Sequence, residues 1–230
     1  MPLTNAMTAK DLQQNVKVAV DNCIFTVLDD KLHVLLIQMK KRPFSGMWAL
    51  PGGLIEPHET LDAAAVRILE EQTGMKRVYL EQLYTFDGES RDPTGRVISV
   101  AYFSLVPPEG HDLRTTEKYG AVRFWRASEL PQRLAYDHSE ILGYALQRLQ
   151  WKVQYTNVMW SLLPRKFTLS QLQNAYETVL NRALDKRNFR KKILSLGLVS
   201  PSGELSTGGR HRPAMLYRFE TRKPEIVEVF

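Results

Sequence analysis

Gly53-Leu54-Ile55-Glu56-Pro57-His58-Glu59-Thr60-Leu61-Asp62-Ala63-Ala64-Ala65-Val66-Arg67-Ile68-Leu69-Glu70-Glu71-Gln72-Thr73-Gly74-Met75 is the stretch on which the fold turns. Pro51-Gly52-Gly53 at its head is a sharp backbone break. Thr60 to Thr73 then predicts a helix, with Ala63, Ala64 and Ala65 inside it. Gly74 stands where a left-handed C-terminal cap belongs.

The surroundings of this helix read as a sheet. Lys17 to Leu28 is rich in β-branched and apolar residues and predicts a strand. Asp29-Asp30-Lys31 predicts a turn, and Leu32 to Met39 a second strand, which makes a hairpin. Val78 to Phe86, Val97 to Val106 and Ala121 to Trp125 predict three more strands, with a polar loop over Asp87 to Arg96. Ser139 to Val153 has helical apolar spacing. The expectation is an α+β domain over residues 1–153, with a mixed sheet, one central helix and a closing helix. Residues 154–166 form a junction that Trp160, Leu162 and Leu163 should make pack rather than float.

Bulk properties exclude several classes. The chain has 230 residues, enough for two domains. Its longest apolar runs, such as Val34-Leu35-Leu36-Ile37, fall far short of the roughly 20 residues of a membrane helix. Met1 to Val16 has no apolar signal core, and Cys23 is the single cysteine, so a reducing cytoplasmic setting is expected and no membrane partner. The net charge of +6 is uneven. Residues 1–150 carry 17 basic and 19 acidic side chains, and residues 151–230 carry 14 and 6. The basic excess lies wholly in the last third, which suits a polyanion partner there.

The quoted stretch closely resembles the Nudix box, Gly-x5-Glu-x7-Arg-Glu-U-x-Glu-Glu-x-Gly-U, where U is bulky and apolar. Gly53, Glu59, Arg67, Gly74 and the apolar positions match without a gap. The resemblance implies a Nudix-type α/β/α sandwich and a structural ion pair between Arg67 and Glu59. It also implies three glutamates at i, i+3 and i+4 that bind Mg²⁺ from one helix face. Those positions here are Ile68, Glu71 and Gln72, so one acid of three survives. Glu70 is adjacent but about 100° around the helix. No metal site, no cofactor and no catalytic residue is therefore expected, although acids in other loops, such as Glu117 or Glu89, would restore a hydrolase.

A Nudix pocket can keep its ligand after losing its chemistry. Candidate effector contacts are Arg42, Phe44 and Trp48 before the box, the surviving Glu71, and Arg91, Asp92 and Arg96 in the polar loop. Guanidinium groups suit phosphates, and aromatic faces suit a purine. Ser90 to Tyr102 resembles the matching stretch of ADP-ribose-type Nudix proteins.

Residues 167–230 read as helix, turn, second helix and hairpin, the pattern of a winged helix-turn-helix domain. Thr168 and Gln171 form a capping-box pattern. The second helix, Asp185 to Leu196, carries Lys186, Arg187, Asn188, Arg190, Lys191 and Lys192, with Phe189, Ile193 and Leu194 on its apolar side. The hairpin adds Arg210, His211 and Arg212 beside Gly208-Gly209. Basic groups on a helix and on a wing are the two places where such a domain meets the DNA grooves.

A Nudix domain with a broken box, followed by a winged helix ending in Gly209 to Phe219, resembles the Nudix-related transcriptional regulators of bacteria (NrtR-like). That resemblance implies a homodimer on a palindromic operator, repression of NAD biosynthesis or salvage genes, and control by ADP-ribose or a related NAD metabolite. Regulation of sugar-use genes by a sugar effector, an active Nudix hydrolase of ADP-ribose or nucleoside diphosphates, and RNA binding are the competing readings.

Overall fold

The computed structural model describes residues 15–108, 112–206 and 213–230. Lys17–Leu28 (β1) and Lys31–Met39 (β2) form the expected antiparallel hairpin, with Phe25 opposite Val34. Asp29 and Asp30 close it at positive φ, 48° and 55°. A two-residue hairpin loop needs that backbone, and short Asp side chains tolerate it better than most. Trp48–Ala49 (β3) pairs with β2, and Gly52–Leu54 (β4) pairs with β1. Glu81–Phe86 (β5), Val97–Leu105 (β6) and Tyr119–Arg126 (β7) complete a seven-stranded sheet. Its main order is β3-β2-β1-β6-β5, with β7 also on β2; β1 runs parallel to β6.

β1 is buried on both faces, and alternate residues serve opposite layers. Val20 and Ile24 pack with Ala64, Ile68 and Leu69 of the helix Leu61–Thr73 (α1). Cys23 and Phe25 pack with Ile141, Leu142 and Ala145 of the helix His138–Tyr155 (α2). The result is the α/β/α sandwich with a mixed sheet. Thr60 caps α1 by accepting from the Ala63 N–H, and Gly74 ends it at φ 76°. A Cβ at Gly74 would lie 3.0 Å from the Asp112 carbonyl oxygen, so both space and backbone angle ask for glycine there.

The expected strand from Val78 begins only at Glu81. Arg77 has a positive φ of 55°, and Val78 and Leu80 turn into the core beneath α1 instead of pairing with β6. β3 and β4 are two and three residues long, too short for any periodicity to show.

After α2 a 3-10 turn, Val158–Ser161, leads to Phe167–Thr168 (β8), Leu169–Leu180 (α3) and Lys186–Ser195 (α4). Val199–Leu205 (β9) and Met215–Phe219 (β10) form the wing strands, in a small sheet ordered β8-β10-β9. Thr168 and Gln171 make a reciprocal capping box on α3. The turn between α3 and α4 is tied by the Glu177 carboxylate, which accepts from the Leu184 N–H (2.8 Å) and from Gln173 Nε2 (3.0 Å). Asp185 caps α4 through the Asn188 N–H.

The segment after α2 does pack. Met159, Leu162 and Leu163 are buried in one continuous apolar core that runs from β1 through α2 to α3, α4 and Phe219. Residues 225–230, to which the sequence reading gave no structure, return to α2. The Val227 and Val229 N–H groups donate to the carbonyls of Tyr155 and Gln154 at 2.9 and 2.8 Å.

Candidate functional site

A cavity of about 230 Å³ opens where β1, β2, β4, the loop before β6 and the start of α2 meet. Asp21 of β1 lies buried at its floor. Gly52 pairs with Asp21 across the sheet, and a Cβ there would come within 1.9 Å of Asp21 Oδ1. The Asp21 carboxylate accepts from Ser99 Oγ (2.5 Å) and Arg91 Nη2 (3.2 Å). His138 Nε2 lies 3.3 Å from its other oxygen. His138 Nδ1 accepts from the Leu50 N–H at 2.9 Å, so the ring proton sits on Nε2, facing Asp21. Burial pushes the Asp21 carboxyl up, but His138, Ser99 and Arg91 outweigh it and hold the group below its ordinary value.

Arg91 is the hub of this site. Its Nε and Nη2 donate to the two oxygens of Asp137 at 2.8 Å each, and its side chain is only 4% exposed. Burial alone would lower its pKa; Asp137 and Asp21 more than offset that, so the guanidinium stays charged. Tyr136, held at φ 55°, forms a neighbouring wall, with its ring 4.2 Å from Phe44 and 5.1 Å from His138. Lys17 and Thr94 stand at the polar side of the cavity, and Ile37, Leu50, Tyr119 and Tyr136 at the apolar side. A second cavity of about 530 Å³ shares Arg91 and Tyr136 with the first. Together they reach the roughly 300–1,000 Å³ of small-molecule sites. The combination offers cations and hydroxyls for phosphate and sugar oxygens, and apolar rings for a planar base.

The structure distributes the expected effector contacts unevenly. Arg91 and Asp92 line the first cavity. Phe44 backs Tyr136 rather than lining it. Arg42 is exposed on the loop after β2. Trp48 packs edge-on against Trp125 at 5.1 Å, with the Arg123 guanidinium over both rings, so its face is already covered. Glu71 is 58% exposed and pairs with Arg67 at 3.4 Å. Arg96 donates to the Asp87 and Gly88 carbonyls at 2.6 and 3.1 Å and so pins its own loop. Lys17, Asp21, Tyr136 and His138 were not singled out from sequence. One signal existed: Asp21 is the lone acid inside the apolar run of β1.

The box positions that bind metal in the resembled enzymes are built into the protein interior. Ile68 is 2% exposed, among Val20, Ala64, Ala65, Val100 and Tyr102. Gln72 spends both ends of its amide on one residue: Nε2 donates to the Gly52 carbonyl (2.7 Å), and Oε1 accepts from the Gly52 N–H (3.0 Å). Glu70 points away and pairs with Lys76 at 2.8 Å. Arg67 donates to both oxygens of Glu59 at 2.7 and 2.8 Å, which ties α1 to the loop after Gly53. A buried isoleucine, an amide with no free end and a carboxylate engaged by arginine do not make a magnesium site.

On α4, Lys186, Arg187, Asn188 and Lys191 are exposed, and Lys192 is half-buried. Phe189 and Ile193 are buried on the opposite side. Arg190 is half-buried and donates to Ser170 Oγ of α3 at 3.2 Å, so it braces the two helices. Arg210, His211 and Arg212 lie outside the described residues.

Comparison with known proteins matches this architecture at both ends. A family model described as the NUDIX domain matches residues 18–144, and one described as the NrtR DNA-binding winged helix domain matches residues 159–219. The chain is similar to the ADPR responsive transcriptional repressor NtrR of Acinetobacter baylyi, with 37% identity over 204 residues, 88% of this chain and 81% of that protein. Among solved structures it is similar to Shewanella oneidensis NrtR complexed with a 27mer DNA: TM-score 0.78, 33% identity, covering 88% of this chain and 93% of that one. It is also similar to the NUDIX domain of Shewanella oneidensis NrtR complexed with ADP ribose: TM-score 0.56, 33% identity, covering 63% and 94%.

Proposed function

Because the chain belongs to the NrtR-type family of Nudix-related transcription regulators, we propose that it is a bacterial repressor of NAD biosynthesis or salvage genes that binds operator DNA and is released by ADP-ribose. One observation carries the reading. The box helix has two of its three metal-binding positions filled by the buried Ile68 and the fully engaged Gln72, and the third, Glu71, paired with Arg67, yet the ligand cavity beside it stays open, and a helix with exposed basic groups follows in the same chain. A pocket that binds without cleaving can control a DNA-binding domain. The similarity to a DNA-bound and to an ADP-ribose-bound structure supports both ligands.

In this reading residues 1–153 sense the effector, 154–166 join the two parts, and 167–230 bind DNA. Arg91, Asp92 and Lys17 meet the diphosphate and ribose of ADP-ribose, and Tyr136 and Tyr119 the base. Lys186, Arg187, Asn188 and Lys191 face the major groove, with Lys192 at the phosphates and Arg210, His211 and Arg212 on the wing. The protein acts in the cytoplasm as a homodimer on a palindromic site. It turns over no substrate.

DNase footprinting on the DNA upstream of the protein's own gene, with and without ADP-ribose, tests the reading. The expected result is a palindromic footprint that ADP-ribose erases. Absence of any footprint would abandon the repressor; erasure by arabinose and not by ADP-ribose would keep the repressor and replace the effector.

A further inference from the structure

Asp137 occupies the N-cap position of α2, where an aspartate normally accepts from the amides of the first turn. Here it makes no such cap. Both its oxygens are spent on Arg91 (2.8 Å each), the guanidinium that lines both cavities. The next residue, His138, faces Asp21 inside the first cavity. The N-terminal end of α2 is therefore part of the ligand site.

The other end of the same helix holds the DNA-binding part. The carbonyls of Gln154 and Tyr155, in its last turn, accept from the Val229 and Val227 N–H groups. Val229 is fully buried. Phe230, 38% exposed, then lays its ring against both helices of the helix-turn-helix, 5.4 Å from Tyr176 of α3 and 6.3 Å from Phe189 of α4, with the Arg182 guanidinium 5.8 Å above it. Tyr176 and Phe189 also contact each other at 5.5 Å. Residues 227–230 are thus a strap from the last turn of α2 to the core that sets the position of α4.

We infer that α2 is the transmission element of the protein, with Asp137 reading the state of Arg91 at one end and the strap residues Val227, Val229 and Phe230 setting the seat of α4 at the other. An anion that recruits Arg91 takes the partner of Asp137. The freed carboxylate then turns back to cap α2, which re-seats the first turn of the helix. A rigid helix passes that movement to its last turn, and the strap passes it to Tyr176 and Phe189. The energy comes from the ligand's differential contact with Arg91 in the two states. This inference rests on the reading of ADP-ribose as effector.

The test uses the full chain, an operator duplex taken from the footprint, and ADP-ribose. Phe230→Ala is compared with wild type, and Phe230→Leu serves as the conservative variant. Phe230→Ala should bind ADP-ribose within twofold of wild type by calorimetry and should still bind the duplex. The factor by which saturating ADP-ribose weakens the duplex should fall to less than a third of the wild-type factor, and Phe230→Leu should restore most of it. If Phe230→Ala does not fold, hydrogen exchange on the wild type decides: ADP-ribose alone should alter the exchange of the Val227 and Val229 amides. Exchange changes confined to residues around the cavity, or a Phe230→Ala protein released as fully as wild type, would overturn the inference and leave the repressor reading intact. A wild-type protein that binds no ADP-ribose would overturn the inference together with ADP-ribose as the effector, whereas the absence of any footprint would overturn the repressor.

Discussion

At the residue scale, the box helix turns into the protein interior two positions that carry glutamates in the Nudix box it resembles. Gln72 replaces a carboxylate, and its amide both donates to and accepts from Gly52. A glutamate there keeps the acceptor and loses the donor, and sets a carboxylate against a carbonyl oxygen. Gln72→Glu should therefore destabilise the fold by about 1–3 kcal/mol, read as a lower urea midpoint. Ile68→Glu places a charge in an apolar cluster and should cost about 4 kcal/mol or more. The two substitutions that restore the box on paper should thus weaken the protein without restoring magnesium binding; a double variant that binds magnesium with wild-type stability would contradict this. Glu59 carries a pH effect. The hydrogen bonds it accepts from Arg67, with help from the Glu56 backbone N–H, hold its carboxyl at about 2, against an ordinary 4.5. A depressed folded-state value means that the stabilisation is present above pH 4.5 and drains away as pH falls toward 2. Glu59→Gln should flatten that part of the acid limb in a stability–pH profile. The losses at Ile68 and Gln72 were legible in the sequence because a motif fixes the positions. The hub was not: Arg91 meets Asp21 and Asp137 from 70 and 46 residues away, and no local pattern encodes such a meeting.

Among the elements, α4 carries the DNA-binding proposal. Sequence places Arg187 and Arg190 on equal terms, but packing separates them. Arg187 is exposed, whereas Arg190 braces α4 against Ser170 of α3. Arg187→Ala should weaken operator binding and reduce the slope of log affinity against log salt by about 1, with no loss of melting temperature. Arg190→Ala should lower the melting temperature as well as the affinity. Equal behaviour of the two variants in both assays would put the recognition surface elsewhere. Asp185→Ala removes the cap on α4 and should cost about 1 kcal/mol in denaturant unfolding. Most elements were legible, because α1, α2, α3 and α4 show apolar spacing, α1 and α3 with recognisable caps, and β1, β2 and β6 are long apolar runs. The short strands β3, β4 and β8 were not, since two or three residues carry no period. Residues 225–230 were missed for a related reason: their order comes from α2 and Tyr176, not from their own sequence.

For the whole molecule, the charge asymmetry and the continuous core complement each other. The basic excess sits in the last third, yet that part shares one apolar core with the sheet and α2. Thr178 of α3 also donates to the Asp30 carbonyl in the β1–β2 turn at 3.1 Å. A ligand in the cavity therefore acts on a molecule whose two functional parts are packed together, not tethered. The measurement that tests this most directly is a fluorescence-anisotropy trace of the labelled operator duplex bound to the full chain, in magnesium buffer, after addition of ADP-ribose at a small excess over protein. A silent sensor predicts that the anisotropy falls and stays down for hours, because the effector is bound and not consumed. No fall would remove ADP-ribose as the effector, and a fall followed by recovery as the ligand is hydrolysed would show that the pocket still works as an enzyme.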